Sequence, residues 1–97
     1  MTRHALFSLA FIAVVSSASA QSISIGPAPS GNAITVASQV IKQAEHPCPK
    51  VTGARRLKDG SITAKCSNAE TYRVFSVKDK PVALRCSVAK AIGVSGC

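Results

Sequence analysis

The residues best suited to chemistry are four cysteines, His46 and four carboxylates, all outside residues 1–20. The cysteines are separated by 17, 19 and 10 residues, so they contain no C-x-x-C pair of the kind that holds structural zinc. A cysteine nucleophile would need a free thiol and His46 as its histidine partner. Most of the carboxylates fall in or beside predicted turns, where they serve turn geometry. We therefore predict that the protein is not an enzyme and binds no metal and no cofactor. The carboxylates are Glu45, Asp59, Glu70 and Asp79.

Residues 1–20 have the composition of a secretory signal peptide. Arg3 and His4 give a basic start, residues 5–15 are apolar, and Ala18-Ser19-Ala20 is a small-residue cleavage site. An apolar run of about 11 residues is too short to span a bilayer. We therefore predict a periplasmic or secreted protein, with no transmembrane segment after processing.

The processed chain would keep all four cysteines, Cys48, Cys66, Cys86 and Cys97. An even number in a small exported chain predicts two disulfides, each contributing about 2–4 kcal/mol to stability. Cys66 and Cys86 fall on the second and fourth predicted strands, about 9–10 Å apart, which is too far for a direct bond. We favour Cys48–Cys66 with Cys86–Cys97. The alternative is Cys48–Cys86 with Cys66–Cys97.

Residues 51–88 predict a four-stranded antiparallel sheet with one buried face. Asp59-Gly60 is typical of a two-residue hairpin loop, because both residues adopt positive φ readily. Further turns are predicted at Asn68-Ala69 and Asp79-Lys80. This register puts Arg55 and Arg73 on the apolar face, which requires an open end or a bulge. It predicts Tyr72 on the opposite, outer face. The apolar row across the four strands is Leu57, Ile62, Phe75 and Leu84, with Phe75 as a core anchor.

The segment before the sheet predicts an amphipathic helix over residues 33–45. Asn32 is a suitable N-cap, and Pro47 follows the end of the apolar pattern. The apolar stripe of this helix would cover the apolar face of the sheet. The predicted fold class is α+β, one N-terminal helix packed on a four-stranded antiparallel meander, stapled by two disulfides. The predicted organisation is a signal peptide at 1–20, a flexible leader rich in Ser, Gly and Pro at 21–32, and a single small domain at 33–97.

Basic residues outnumber acidic ones throughout the processed chain. Without Arg3 it has eleven basic and four acidic residues, a net charge of +7. A cationic sheet face can bind the phosphate groups of anionic lipid or lipopolysaccharide, whereas a single aromatic residue offers no stacking platform for nucleic acid. The alternative is a solvated surface that keeps a small exported protein soluble. The predicted anion-binding face consists of Arg56, Lys58, Lys65, Tyr72 and Arg85.

A helix over residues 34–44, followed by LKDGSITA and ETYRVFSV, covers about half of the processed chain. This layout is similar to that of the PepSY-like small domains of the bacterial envelope. The resemblance implies a binding or peptidase-restraining module without catalytic residues. The longer stretch VTGARRLKDGSITAKCSNAETYRV resembles small uncharacterised exported proteins of proteobacteria, which implies a location but no activity.

These observations favour a binding protein. Its predicted target is an anionic envelope component, such as anionic lipid or lipopolysaccharide, or an envelope protein. The alternative is an inhibitor or regulator of an envelope peptidase that acts through a peptide-like edge strand. Ionic strength separates the two, because electrostatic binding weakens with salt and strand addition does so far less.

Overall fold

A computed structural model describes residues 24–97, which form a four-stranded antiparallel sheet, a helix on one side of it and a short helix at the C-terminal end. The strands lie in the sheet in chain order, so the predicted meander and fold class are confirmed. The predicted signal peptide and residues 21–23 of the predicted leader lie outside the described residues. The elements are α1 (Ala33–Gln43), β1 (Val51–Arg56), β2 (Ile62–Cys66), β3 (Thr71–Val77), β4 (Lys80–Arg85) and α2 (Cys86–Ala91).

Helix α1 begins where the sequence predicts. The Asn32 side chain accepts hydrogen bonds from the backbone N–H groups of Ile34, at 3.0 Å, and Thr35, at 3.1 Å. Two backbone donors that the first turn would leave without a partner are satisfied in this way. The helix then buries one stripe against the sheet, at the spacing of a 3.6-residue turn. The buried residues of the stripe are Val36, Ala37, Val40 and Ile41.

The first two hairpins have three-residue loops, where we predicted two-residue loops. In the first, the Leu57 N–H donates to the Ser61 carbonyl at 2.7 Å, and Gly60 has a φ of +87°. A type I turn followed by one residue in the left-handed region has this pattern. The second hairpin repeats it with Ala69, at a φ of +73°, in the place of glycine. Both predicted registers are therefore wrong by one residue.

The third hairpin has a two-residue loop at Lys78-Asp79, with φ values of +52° and +67°. It lies one residue before the loop that we predicted, so Val77 pairs with Lys80. A loop shifted by one residue changes each cross-strand partner by two positions. Side chains alternate with period two, so this hairpin keeps its predicted faces.

The corrected registers give the sheet two apolar faces. A shift of one residue moves side chains to the other face, and the predicted row is wrong for this reason. Ile62 faces α1, whereas Phe75 and Leu84 face the C-terminal segment. We call the two sides of the sheet the α1 side and the C-terminal side. The core of the α1 side includes Val51, Ile62, Ala64, Cys66, Tyr72, Val74 and Ala83, and that of the C-terminal side includes Phe75, Ala89 and Val94 with Val77, Val82 and Leu84 packed against them.

Two disulfides are present, Cys48–Cys66 and Cys86–Cys97, with Cα–Cα distances of 5.4 Å and 5.8 Å. The first joins the α1–β1 connection to the end of β2. The second joins the start of α2 to the last residue. The predicted pairing is confirmed.

The segment before α1 is bonded to the sheet. Gly26 pairs with Ser76 of β3, and the Ala28 N–H donates to the Gly60 carbonyl at 3.0 Å. The Ser76 hydroxyl donates to the Pro27 carbonyl at 2.7 Å. The described part of the predicted flexible leader is thus held by the domain. No helix within residues 24–97 has the length and apolarity that a bilayer crossing requires.

Candidate functional site

The five residues of the predicted anion-binding face do not share a surface. Tyr72 is fully buried on the α1 side, where its hydroxyl donates to the Pro47 carbonyl at 3.0 Å. Its ring centroid lies 5.0 Å from that of His46, whose Nε2 is 2.7 Å from the Ala83 carbonyl oxygen. Tyr72 therefore belongs to the core. Its predicted outer position is wrong because the predicted register was shifted by one residue.

Arg56 also lies on the α1 side, and its guanidinium is engaged with the backbone. Four carbonyl oxygens accept its N–H groups: those of Ala28 at 3.3 Å, Pro29 at 2.8 Å, Gly31 at 3.0 Å and Gly60 at 2.7 Å. The planar fork of the guanidinium suits such multiple donation, which a lysine could not reproduce. The donors of Arg56 hold the segment before α1, so they are not available to a ligand.

The other three predicted residues are exposed but separated. Lys58 lies in the β1–β2 loop. Arg85 lies on the α1 side of β4, with its Nε 4.0 Å from Oε1 of Glu70. Lys65 lies on the C-terminal side of β2. Of the five, Lys65 alone belongs to the site described next.

An open groove of about 490 Å³ runs over β1 and β2. Cross-strand pairing puts Arg55 beside Thr63, and Lys65 between Gly53 and Thr71. Gly53 leaves the middle of the groove open, since a Cβ atom there would meet nothing within 4 Å. We call this the β1–β2 groove. Its lining residues are Gly53, Ala54, Arg55, Thr63, Ala64, Lys65 and Thr71.

The β1–β2 groove is cationic. Arg55 and Lys65 are both exposed, and no residue that lines the groove is acidic. The Glu70 carboxylate lies on the α1 side beside Arg85. A guanidinium, an ammonium and nearby hydroxyl groups are the donors that phosphate and carboxylate oxygens accept best. The groove therefore offers a donor set for an anionic group.

A hydrogen-bonded chain of three side chains lies beside the groove on the C-terminal side. Arg73 is 1% exposed, and its Nη1 donates to the Ser61 hydroxyl at 2.6 Å. Asp59 Oδ1 in turn accepts from the Ser61 hydroxyl, at 2.5 Å, and from the Ser61 N–H, at 2.9 Å. The hydrogen bonds from Ser61 lower the pKa of Asp59, and burial lowers the pKa of Arg73. The charge of Arg73 thus has a carboxylate partner through Ser61.

A second depression, of about 530 Å³, lies at the C-terminal end of α1. Its lining includes Lys42 and Lys50 but also Glu45, so its charges are of both signs. An anionic group there would meet repulsion as well as attraction. This depression is the weaker candidate, although it is slightly larger.

The sequence contained one signal of the β1–β2 groove. The predicted register put Arg55 and Arg73 on an apolar face, where two arginines are out of place. The one-residue correction leaves them on the C-terminal side, with Arg55 in the groove and Arg73 beneath the C-terminal segment. The correction therefore moves Ile62 and Ala64 to the α1 side and leaves both arginines on the face of Phe75, and of the two it is Arg55 that marks the site.

Within the part of the chain that the structure describes, no group of three or more His, Cys, Asp and Glu side chains could hold a metal ion. Comparison of the chain with models of protein families, with curated proteins and with solved structures gives no match.

Proposed function

We propose that the protein is a small exported binding protein whose β1–β2 groove binds phosphate groups of an anionic envelope component. The observation that carries the proposal is the lining of the groove. Two exposed cations, Arg55 and Lys65, and the hydroxyl of Thr71 surround the bare Gly53 without an acidic neighbour. Export is inferred from the residues of the predicted signal peptide, and the two disulfides support it, because disulfides persist in oxidising compartments.

The shape of the groove supports a surface-bound ligand. Sites that enclose a small molecule bury most of its surface in an apolar cavity. The β1–β2 groove is open and its chemistry is polar. It suits a phosphate group that projects from a membrane or a polymer, where many weak contacts add together. The proposal is for binding without catalysis, since every carboxylate of the described residues lies outside the groove.

Regulation of a peptidase through an edge strand is the competing function. Strand β1 is at the edge of the sheet, as that function needs. The register of β1 is broken between Val51 and Gly53, however, and the remaining regular part ends at Arg56. A bulge and charged residues are the devices that keep edge strands from pairing with other chains. This edge therefore supports anion binding better than strand addition.

Charge reversal in the groove tests the proposal. The double variant Arg55→Glu/Lys65→Glu should bind phosphatidylglycerol vesicles at least about tenfold more weakly than the unmodified protein, since each basic contact with an anionic surface contributes about 1 kcal/mol. Vesicle sedimentation at several salt concentrations measures the affinity. Binding should weaken as salt rises. Stability should change little, because both residues are exposed.

Lys50→Glu/Lys58→Glu is the matched control, because these exposed residues lie outside the groove and their reversal gives the same net charge. The control should retain most of the binding. Equal losses in both variants would show a cationic protein without a located site. Failure of the unmodified protein to bind anionic vesicles would reject the proposal.

A further inference from the structure

A C-terminal tail, residues 92–97, lies over the C-terminal side of the sheet. Val94 is buried in the core of that side. The Ser95 carbonyl accepts a hydrogen bond from Arg73 Nε at 2.9 Å, and the Gly96 carbonyl accepts one from the Thr63 hydroxyl at 2.8 Å. The tail therefore contacts a residue that lines the β1–β2 groove and the arginine beside it.

Arg73 continues a row that begins in the groove. Arg55 pairs with Thr63, and Thr63 pairs with Arg73, so the three side chains lie on the same side of adjacent strands. Arg55 is exposed, whereas Arg73 is 1% exposed. The tail is in direct contact with the Arg73 guanidinium, whose Nε donates to the Ser95 carbonyl at 2.9 Å. The tail thus covers the second cation of this row.

The two disulfides differ in their exposure to solvent. Cys66 is 2% exposed and lies in the core of the α1 side. Cys48 and Cys86 are both half-buried, but Cys97 is exposed where Cys66 is buried, so Cys86–Cys97 is the more accessible bond to a reductant. Exposed disulfides are the ones that exchange readily with external thiols. A mild reductant should therefore open the bond that fixes the tail and spare Cys48–Cys66.

We propose that Arg73 is a second anion-binding arginine of the β1–β2 groove, covered by the C-terminal tail until a dithiol reductant opens Cys86–Cys97. The inference rests on the proposed function of the groove. One reductant thiolate attacks a sulfur of the bond, which forms a mixed disulfide and releases the other cysteine as a thiolate. The second reductant thiolate then attacks the reductant sulfur of the mixed disulfide and releases the remaining cysteine. The reductant becomes a disulfide, and Cys86 and Cys97 become thiols that have gained two electrons and two protons. The freed tail then leaves Arg73 open to solvent.

The uncovered row fits a ligand with two phosphate groups. Arg55 and Arg73 lie two strands apart, about 9–10 Å at the usual strand spacing, with the Thr63 hydroxyl between them. Loss of the tail would also free that hydroxyl from the Gly96 carbonyl. A further charge-assisted hydrogen bond should tighten phosphate binding about tenfold.

Chemical modification of arginine tests whether the tail covers Arg73, and it needs no ligand. In the oxidised protein, phenylglyoxal should modify the exposed Arg55 and leave Arg73 unmodified, as measured by peptide mass spectrometry. After reduction under conditions in which only Cys86 and Cys97 become alkylated, Arg73 should react at least about tenfold faster, because its guanidinium is then solvated. Continued protection of Arg73 in the reduced protein would overturn the proposal.

Substitution of Gly96 loosens the tail while the disulfide stays intact. In Gly96→Ala the new Cβ would lie 2.9 Å from Leu57 Cδ1 and 3.0 Å from Arg73 Cζ, at a φ of +110°, so either the tail or these two side chains must shift and the packing of the tail on Arg73 changes. Gly93→Ala is the control, because Gly93 also has a positive φ but a Cβ there meets nothing within 4 Å. Gly96→Ala should raise both the reactivity of Arg73 and the affinity for phosphatidylglycerol vesicles more than Gly93→Ala does.

The two measurements separate this proposal from that of the groove itself. Stronger vesicle binding after reduction, together with a reactive Arg73, supports both. Vesicle binding that is the same before and after reduction overturns the role of Arg73 and leaves the groove as a site. If Arg73 becomes reactive but the protein binds no vesicles in either state, the proposed function and the ligand role of Arg73 are both rejected. Only the covering of Arg73 by the C-terminal tail would then stand.

Discussion

Three arginines show how far the environment decides what one residue type does. Arg56 donates to four backbone carbonyls and organises the segment before α1. Arg73 is buried and bonded to Ser61 and to the tail. Arg55 is exposed in the β1–β2 groove, so its charge is the one available to an external anion in the oxidised protein. Counting basic residues in the sequence would treat the three as equal.

Asp59 should make stability depend on pH in the acid range. Hydrogen bonds from Ser61 hold its pKa below the ordinary value of 3.8 in the folded protein. A carboxyl group with a depressed folded pKa contributes stability that is complete above its unfolded pKa and is lost as pH falls through the folded pKa. Asp59→Asn lacks this contribution. The difference in free energy of unfolding between the unmodified protein and Asp59→Asn should therefore be largest at neutral pH and should shrink below about pH 3.8.

Denaturant titrations of both proteins from pH 7 to pH 2 measure this difference, and an NMR titration of the Asp59 carboxyl measures the folded pKa directly. A constant difference across the range would show that the Ser61 bonds do not favour the charged form. The prediction concerns the carboxylate alone, because Asn can still accept a hydrogen bond from Ser61.

At the scale of the elements, α1 ends in an arrangement that usually contains glycine. The Glu45 N–H donates to the Lys42 carbonyl at 2.9 Å, and the His46 N–H donates to the Ile41 carbonyl at 3.2 Å. This pair of bonds is a Schellman motif, whose C′ residue adopts the left-handed region. Glu45 occupies that position with a φ of +59°, which is costly for a residue with a Cβ atom. Its negative charge also lies at the negative end of the helix dipole.

Glu45→Gly should therefore stabilise the protein by about 1 kcal/mol, as the relief of backbone strain exceeds the added entropy of the unfolded chain. Ala69→Gly tests the relief of the same backbone strain in the β2–β3 loop, because Ala69 has a φ of +73°. Gln43→Gly, in the last turn of α1, is the opposite control and should destabilise by up to about 1 kcal/mol. Chemical denaturation measures all three. If Glu45→Gly were less stable than the unmodified protein, the Glu45 side chain would have to make a contact that stabilises the fold by more than the backbone strain costs.

The elements could be predicted from the sequence more completely than their registers. The start of α1 followed from Asn32 and the helical spacing of apolar residues. The disulfide pairing was predicted correctly, although Cys86 begins α2 and does not lie on the fourth strand as predicted. The lengths of the loops could not be predicted, because Asp59-Gly60 fits a two-residue loop as well as a three-residue loop with glycine at its end. Ala69 gave no sign of its positive φ. The groove was missed for the same reason, since its residues change faces with the register.

At the scale of the whole molecule, the sheet is a middle layer with a thin core on each side. Helix α1 covers one side, and α2 with the tail covers the other. Each side also has its own disulfide, Cys48–Cys66 on the α1 side and Cys86–Cys97 at the tail. A domain of this size buries little apolar surface per layer, so covalent staples supply stability that neither core provides alone. Side chains along β3 alternate between the two sides of the sheet and present large apolar residues to both, so both sides must be covered.

Both cores should contribute to stability. Phe75, at 1% exposure, fills the C-terminal side, and Tyr72, at 0% exposure, fills the α1 side. The register that we predicted from the sequence would make Tyr72→Ala much the milder change. The structure predicts instead that Phe75→Ala and Tyr72→Ala each cost about 3–5 kcal/mol, because each leaves a cavity in a closely packed layer.

Denaturant unfolding with both disulfides intact measures the two costs. The two rings lie on opposite faces of one strand, so their costs should add to within about 0.5 kcal/mol in the double variant if it remains folded. Lys65→Ala, on an exposed position of the neighbouring strand, is the control and should change stability by less than about 0.5 kcal/mol. If Tyr72→Ala were much less destabilising than Phe75→Ala, the sheet would have a single buried face. The first two hairpins would then have the two-residue loops that the sequence predicted. In that arrangement Arg55 would turn from the groove toward α1, so the same unfolding experiment also tests the position of the anion site.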